Sequence, residues 1–157
     1  MNRDFIRENE ASRVELSEVV ACLDEKAFGY PVGNGWTISN LLCHLAFWDQ
    51  RALFLLREWQ AGRFEASRLS AQAINSINEA ARVVSRHVPG SAAGRLAVES
   101  AASVDAELEE INDELSEQIA SNGFERYLNR SLHRREHLQK IQEAVRLSRN
   151  ADATRTT

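Results

Sequence analysis

The sequence predicts an all-α fold, a four-helix bundle. The chain holds only 2 prolines and 7 glycines in 157 residues, too few turn formers for a many-stranded sandwich or barrel. Apolar residues recur every three or four positions over most of its length, the period of an amphipathic helix. The few Gly and Pro residues mostly cluster between those periodic stretches. Neither a phosphate-binding loop nor a dinucleotide-binding turn is present, because both need clustered glycines in a fixed pattern.

The first helix is expected from about Arg3 to Lys26. Phe5, Asn9, Ser12, Leu16, Val19, Val20, Leu23 and Ala27 trace one face, with Asn9 and Ser12 interrupting its apolar character. Gly29-Tyr30-Pro31-Val32-Gly33-Asn34-Gly35 then reads as a loop. Thr37 is placed to cap the second helix through its hydroxyl, and Trp36 to staple it by packing on Leu41. Ile38, Leu41, Leu42, Leu45, Trp48, Ala52, Leu55, Leu56 and Trp59 form its broad stripe, ended by Ala61-Gly62.

The third region is helical from Leu69 to Val88, with Ile74, Ile77, Ala81 and Val84 on one side. Pro89-Gly90-Ser91 interrupts it, and Ser91 is placed to cap a restart. Leu96, Ser100, Val104, Leu108, Ile111, Leu115 and Ile119 continue the pattern to Asn122-Gly123. Periodicity leaves open whether residues 69–120 form one kinked helix or two, and an extra short helix between helices two and three is also open. The fourth helix spans about Phe124 to Arg149. The expected domain is residues 1–149, with a small, polar, disordered tail at 150–157.

Composition narrows the function classes. The formal net charge is −4 and the pI about 5.6, so nucleic acid is not expected as a partner. The 17 arginines and 2 lysines are scattered among acids. No apolar run approaches the ~18–20 residues of a membrane span. Met1 to Glu10 has no signal-peptide core, which points to the cytoplasm. Cys22 and Cys43 lack disulfide-framework or zinc-ribbon spacing and are expected as reduced, buried thiols.

The chemistry-bearing residues are histidines. His133-Arg134-Arg135-Glu136-His137 puts two imidazoles one turn apart on one helix face, ~6 Å along the axis. Ile141 and Val145 extend that line, so the pair points toward the core. His44 shares a face with Leu41 and Trp48 on the second helix. Bundles build metal sites from inward positions on facing helices. Three imidazoles suit zinc, nickel, iron or copper, and three protein ligands leave positions open, as in catalytic sites. Arg134 stands where a zincin would carry its glutamate, which disfavours metalloprotease chemistry. Arg130 is the candidate for anion contact near the site, and Trp48 for its wall. Asp49 and Arg51 read as surface ion-pair partners, Glu136 as solvated, and His87 as a helix C-terminal residue facing the dipole. Cys43 points ~100° away from His44 and should not share the metal.

Gly35-Trp36-Thr37-Ile38-Ser39-Asn40-Leu41-Leu42-Cys43-His44-Leu45-Ala46-Phe47-Trp48-Asp49 resembles the second-helix signature of the DinB/YfiT-like superfamily, a Trp-Ser/Thr helix start followed by a buried His. His133 and His137 match that family's second and third histidines, and Ile77-Asn78-Glu79 resembles the Asn-Glu opening of its third helical region. The resemblance spans about residues 10–147. It implies a four-helix bundle with a divalent metal, zinc or nickel, on His44, His133 and His137. Relatives include mycothiol-dependent maleylpyruvate isomerase and bacillithiol S-transferases, which implies a low-molecular-weight thiol as co-ligand and a small-molecule substrate. The second helix is also similar to that of the colibactin self-protection family, a branch understood to lack the three histidines, which leaves a non-catalytic sequestering role as the alternative. A homodimer is left open.

Overall fold

The computed structural model describes residues 3–65 and 68–155. The first helix, α1, runs over Asp4–Ala21 and buries Phe5, Asn9, Ser12 and Leu16, the spacing expected of one face. It stops short of Lys26. The chain turns there into a 3-10 segment at Ala27–Gly29, where the Asp24 carboxylate accepts from the Ala27 N–H at 2.8 Å. Cys22, at the frayed end of α1, is exposed rather than buried, and Cys43 is only half-buried. The glycine-rich loop is a small antiparallel hairpin, β1 (Pro31–Gly33) and β2 (Trp36–Thr37). Gly33, Asn34 and Gly35 all take positive φ, which reverses the chain tightly.

Helix α2 (Ile38–Gln60) begins where Thr37 predicts. The Thr37 hydroxyl accepts from the Asn40 N–H and the Asn40 side chain accepts from the Thr37 N–H, a reciprocal cap. Its inner face, from Ile38 through Leu42, Leu45, Ala52 and Leu56 to Trp59, is buried.

Three helices occupy the stretch 69–120. Helix α3 (Ala71–Ser85) lies on the outside, and Ser85 is its one buried residue. The apolar side assigned to it is not a core face: Val84 is 71 % exposed and Ile74 lines a surface cavity. Helix α4 (Gly90–Glu110) follows Pro89, which takes the cap position expected of Ser91. Its buried face is Ala93, Gly94, Ala97, Ser100, Ala101, Val104 and Leu108, while Leu96 is exposed. Small residues let α4 approach α1 and α2 closely. A Cβ on Gly90 would stand 2.4 Å from Phe28, and one on Gly94 would stand 2.7 Å from Val20. The helix then breaks at Ile111, where Asn112 caps α5 (Asp113–Ser121) by accepting from the Leu115 N–H at 2.8 Å.

The last helical region is also divided. After Gly123, α6 covers only Glu125–Leu128, and α7 spans Ser131–Arg155. Asn9 makes this junction: its Nδ2 donates to the Leu128 carbonyl at 2.8 Å and its Oδ1 accepts from the Ser131 N–H at 2.9 Å. The polar residue that interrupts the α1 face is thus the cap of α7. Helix α7 continues past the expected end at Arg149, and Asp152 is ion-paired with Lys26 at 2.5 Å. The helix reaches Arg155. Residues 156–157 lie outside the described residues.

Helices α1, α2, α4 and α7 form the bundle, with α2 packed most extensively on α4 and α7 against α1. Its core falls into two clusters. One gathers Leu56, Trp59, Leu108, Ile119 and Phe124; the other gathers Leu16, Leu42, Leu45, Leu138 and Ile141. Among the described residues no helix is long and apolar enough to cross a membrane.

Candidate metal centre

Helices α2 and α7 bring His44, His133 and His137 together. One candidate ligand nitrogen from each lies within 4.8 Å of the others. The His133 Nε2 is 3.1 Å from the His44 Nε2 and 3.1 Å from the His137 Nε2. The spacing follows from helix geometry: His133 and His137 are one turn apart on α7, and α2 supplies the third ring across the seam. Trp36 and Trp48 meet the His44 ring edge-on, at centroid distances of 5.6 and 6.2 Å.

Burial makes these rings poor bases. Desolvation, with the neighbouring His137 adding to it, lowers His44 to about 3. Desolvation, aided by Lys140, lowers His137 to about 4. His133 is lowered too, by burial first and then by Arg130. Neutral imidazoles are the form that ligates metals. Two nitrogens bound to one tetrahedral zinc at ~2.0–2.1 Å stand about 3.3 Å apart, so the observed spacing suits a shared cation. The Nδ1 atoms of His44 and His137 are buried without a hydrogen-bond partner among the described residues. Three imidazole rings therefore converge through their Nε2 atoms, while the Nδ1 atoms of His44 and His137 lie on the far ring edges, where a buried polar atom without a partner is costly.

A second buried cluster stands beside the first. Asp49 is 1 % exposed, which corrects its reading as a surface residue. It accepts from Arg130 Nε at 2.8 Å and from Arg134 Nε at 3.0 Å. Arg134 is fully buried and makes a two-pronged bond to Asp105, at 2.8 and 3.0 Å. Its remaining N–H groups reach the carbonyls of Asn9 and Ala101 and the Ser12 hydroxyl. Burial opposes the Arg134 charge, but Asp49 and Asp105 outweigh it and hold its pKa above the ordinary value. Arg13 closes the cluster on Asp105 at 3.2 Å. Sequence reasoning passed over Arg134 and Asp105. The available signal was that Arg134 precedes Leu138 and Ile141 by four and seven residues, on the inward line.

Arg130 joins the two clusters. Besides Asp49 it reaches the Arg126 carbonyl at 2.9 Å and the His133 Nδ1 at 3.3 Å. Every guanidinium nitrogen is therefore engaged within the protein.

A cavity of about 380 Å³ opens onto the three histidines. Trp48, Ile74, Asn78, Arg126, Tyr127 and Glu136 form its outer wall. The Trp48 indole donates to Asn78 Oδ1 at 2.9 Å. Arg51 donates to the Tyr127 hydroxyl and lies over the Trp48 ring at 5.5 Å, so it is a wall support. Glu136 is exposed and shared with Lys140 at 3.1 Å. His87 is exposed beyond the end of α3, and Cys43 lies outside the histidine cluster, its thiol pushed up by burial.

The sequence model of the DinB superfamily matches residues 8–148, which include all three histidines. No curated protein and no solved structure matches the chain. With most of the chain matched and its helical bundle observed, the protein belongs to the DinB superfamily.

Proposed function

We propose that this protein binds one divalent metal ion, zinc or nickel, through His44, His133 and His137, and uses it to activate a low-molecular-weight thiol or water for transfer to an electrophilic small molecule. The observation that carries this reading is the convergence of three buried, neutral imidazole rings on one point of a cavity. A cation there would lower the pKa of a thiol or water bound at its open positions, which raises the nucleophile's concentration at neutral pH. The chain's own residues supply the surroundings. Trp36 and Trp48 shield His44 from bulk water, Arg130 stands beside the His133 ring, and Trp48 and Tyr127 offer flat apolar walls to the substrate.

The test begins with protein purified without a nickel column, since nickel resin would load such a site. Elemental analysis is expected to give about one divalent ion per chain, lost in His44→Ala and His137→Ala. Retention of stoichiometric metal by both variants overturns the assignment. At a free metal concentration one hundred times Kd, the ion should stabilise the fold by about 2.7 kcal/mol. Turnover in a screen of mycothiol, bacillithiol and glutathione against generic electrophiles would establish the catalytic part. Metal binding without turnover would favour sequestration instead.

A further inference from the structure

We infer that Asn78 on α3 is the specificity-determining residue of the cavity, and that its side-chain amide donates to a carbonyl or carboxylate oxygen of the bound small molecule. The inference deepens the metal-centre reading and rests on it.

The argument starts from the indole. Trp48 Nε1–H can only donate, and it meets Asn78 at 2.9 Å. The atom of Asn78 that faces Trp48 must therefore be the amide oxygen. This fixes an orientation that would otherwise be ambiguous between oxygen and nitrogen. The NH2 group is left pointing away from the indole, and it makes no hydrogen bond among the described residues. Asn78 lines the cavity that contains the three histidines. What Asn78 offers a ligand is thus a pair of N–H donors, locked by a Trp that is itself part of the wall.

The other wall residues agree. Trp48 spends its one donor on Asn78, Ile74 has none, and the Tyr127 hydroxyl is held by Arg51. Arg130 spends one bond at each of its three nitrogens on Asp49, the Arg126 carbonyl and His133, which ties its guanidinium to the charged cluster. Glu136 is an acceptor and would repel a ligand oxygen. Arg126 is a donor on a side chain 71 % exposed and 3.9 Å from Glu136. Asn78 is therefore a rigid, uncommitted donor in this wall, and a ligand oxygen that meets it gains orientation as well as affinity. A site built around a fixed donor discriminates against analogues that lack the matching acceptor.

The experiment uses the full chain loaded with Co2+ and follows thiolate binding by charge-transfer absorbance. The probes are the methyl esters of mercaptoacetic and 3-mercaptopropionic acids, compared with butanethiol and pentanethiol of similar length. Each protein yields a ratio of Kd values, alkanethiol to ester. The thiols' own acidities cancel when ratios are compared between proteins. In Asn78→Asp the carboxylate still accepts from Trp48 but has no proton to donate. For at least one ester the ratio is expected to fall about fivefold relative to the unaltered chain, the weight of one hydrogen bond. Asn78→Leu should show the same fall. Helix α3 buries few of its side chains, so neither change should disturb the fold, which circular dichroism checks. If Asn78→Asp keeps the unaltered ratio for both esters, Asn78 is only a prop for Trp48 and the inference is overturned. If the unaltered chain takes up no Co2+, the metal reading itself fails, and this inference with it.

Discussion

Helix α7 carries two buried polar clusters that begin one residue apart, at His133 and Arg134. They are built on opposite principles. Around Arg134 every polar group has its partner: Asp49, Asp105, Asn9, Ser12 and the Ala101 carbonyl use all of the guanidinium's nitrogens. Around the histidines the pairing is incomplete: among the described residues the Nδ1 atoms of His44 and His137 have no partner, and the three Nε2 atoms face one another. The first cluster is closed and cross-links α1, α2, α4 and α7. The second is open on a cavity, and among the described residues no carboxylate or carbonyl holds the Nδ1 of His44 or His137, as one usually does for a ligating histidine. A fully satisfied buried network specifies a structure, whereas an unsatisfied one marks a place where something is to bind. Arg130 spans both, so the closed cluster holds a piece of the open one in place.

The largest expected effect comes from breaking the closed cluster. Arg134→Met removes the central cation and leaves Asp49 and Asp105 buried with one partner each, Arg130 and Arg13. Removing one member of a buried ionic network costs about 3–5 kcal/mol. Urea denaturation of the metal-free variant should show a loss of this size. A loss below about 1 kcal/mol, as for a surface pair, would mean that the network is not cross-linking the helices.

The two clusters were not equally legible in the amino-acid sequence. The histidines were visible because His133 and His137 share a helical period with Ile141, and His44 with Leu41 and Trp48. The cap at Thr37 and the stripe of α2 were legible for the same local reason. The charged cluster was not, because Asp49 and Arg134 are 85 positions apart. Charge in an amphipathic pattern reads as solvated face, and only tertiary pairing reverses that reading. Asn9 and Ser12 look like defects in α1 until the Arg134 guanidinium and the start of α7 are seen to need them. The α4 face misled in the opposite direction: Leu96 marks the apolar stripe by hydropathy, yet close approach to Phe28 and Val20 selects Ala and Gly instead.

Acid separates the clusters next. His44 and His137 titrate at about 3 and about 4 in the fold, below the ordinary imidazole value of 6.5. The unfolded chain therefore binds protons first as pH falls. Stability from these rings is whole above about 6.5 and is lost progressively toward pH 3–4, a total on the order of a few kcal/mol. Metal-free protein should show falling urea midpoints between pH 7.5 and 4.5. The double variant His44→Leu, His137→Leu should show a flatter profile over that window. Equal slopes would mean that the acid sensitivity lies elsewhere.

The smallest effect is the sharpest test of the contrast. His44→Leu replaces a buried ring that has an unpartnered Nδ1 with an apolar side chain, on a helix where Leu41, Leu42 and Leu45 are already buried. The edge contacts with Trp36 and Trp48 are lost, worth about 0.5–1.5 kcal/mol beyond area burial in an ordinary aromatic pair. Against that, a buried polar atom without a partner is removed, which relieves about 1–3 kcal/mol. The two nearly cancel, so the metal-free variant should lie within about 1 kcal/mol of the unaltered chain at pH 7.5, or be slightly more stable. The metal-loaded proteins should differ by far more, because the variant gains nothing from the ion. If His44→Leu instead costs the metal-free fold as much as Arg134→Met, the histidines are structural members of the core, and the division into a closed and an open cluster fails.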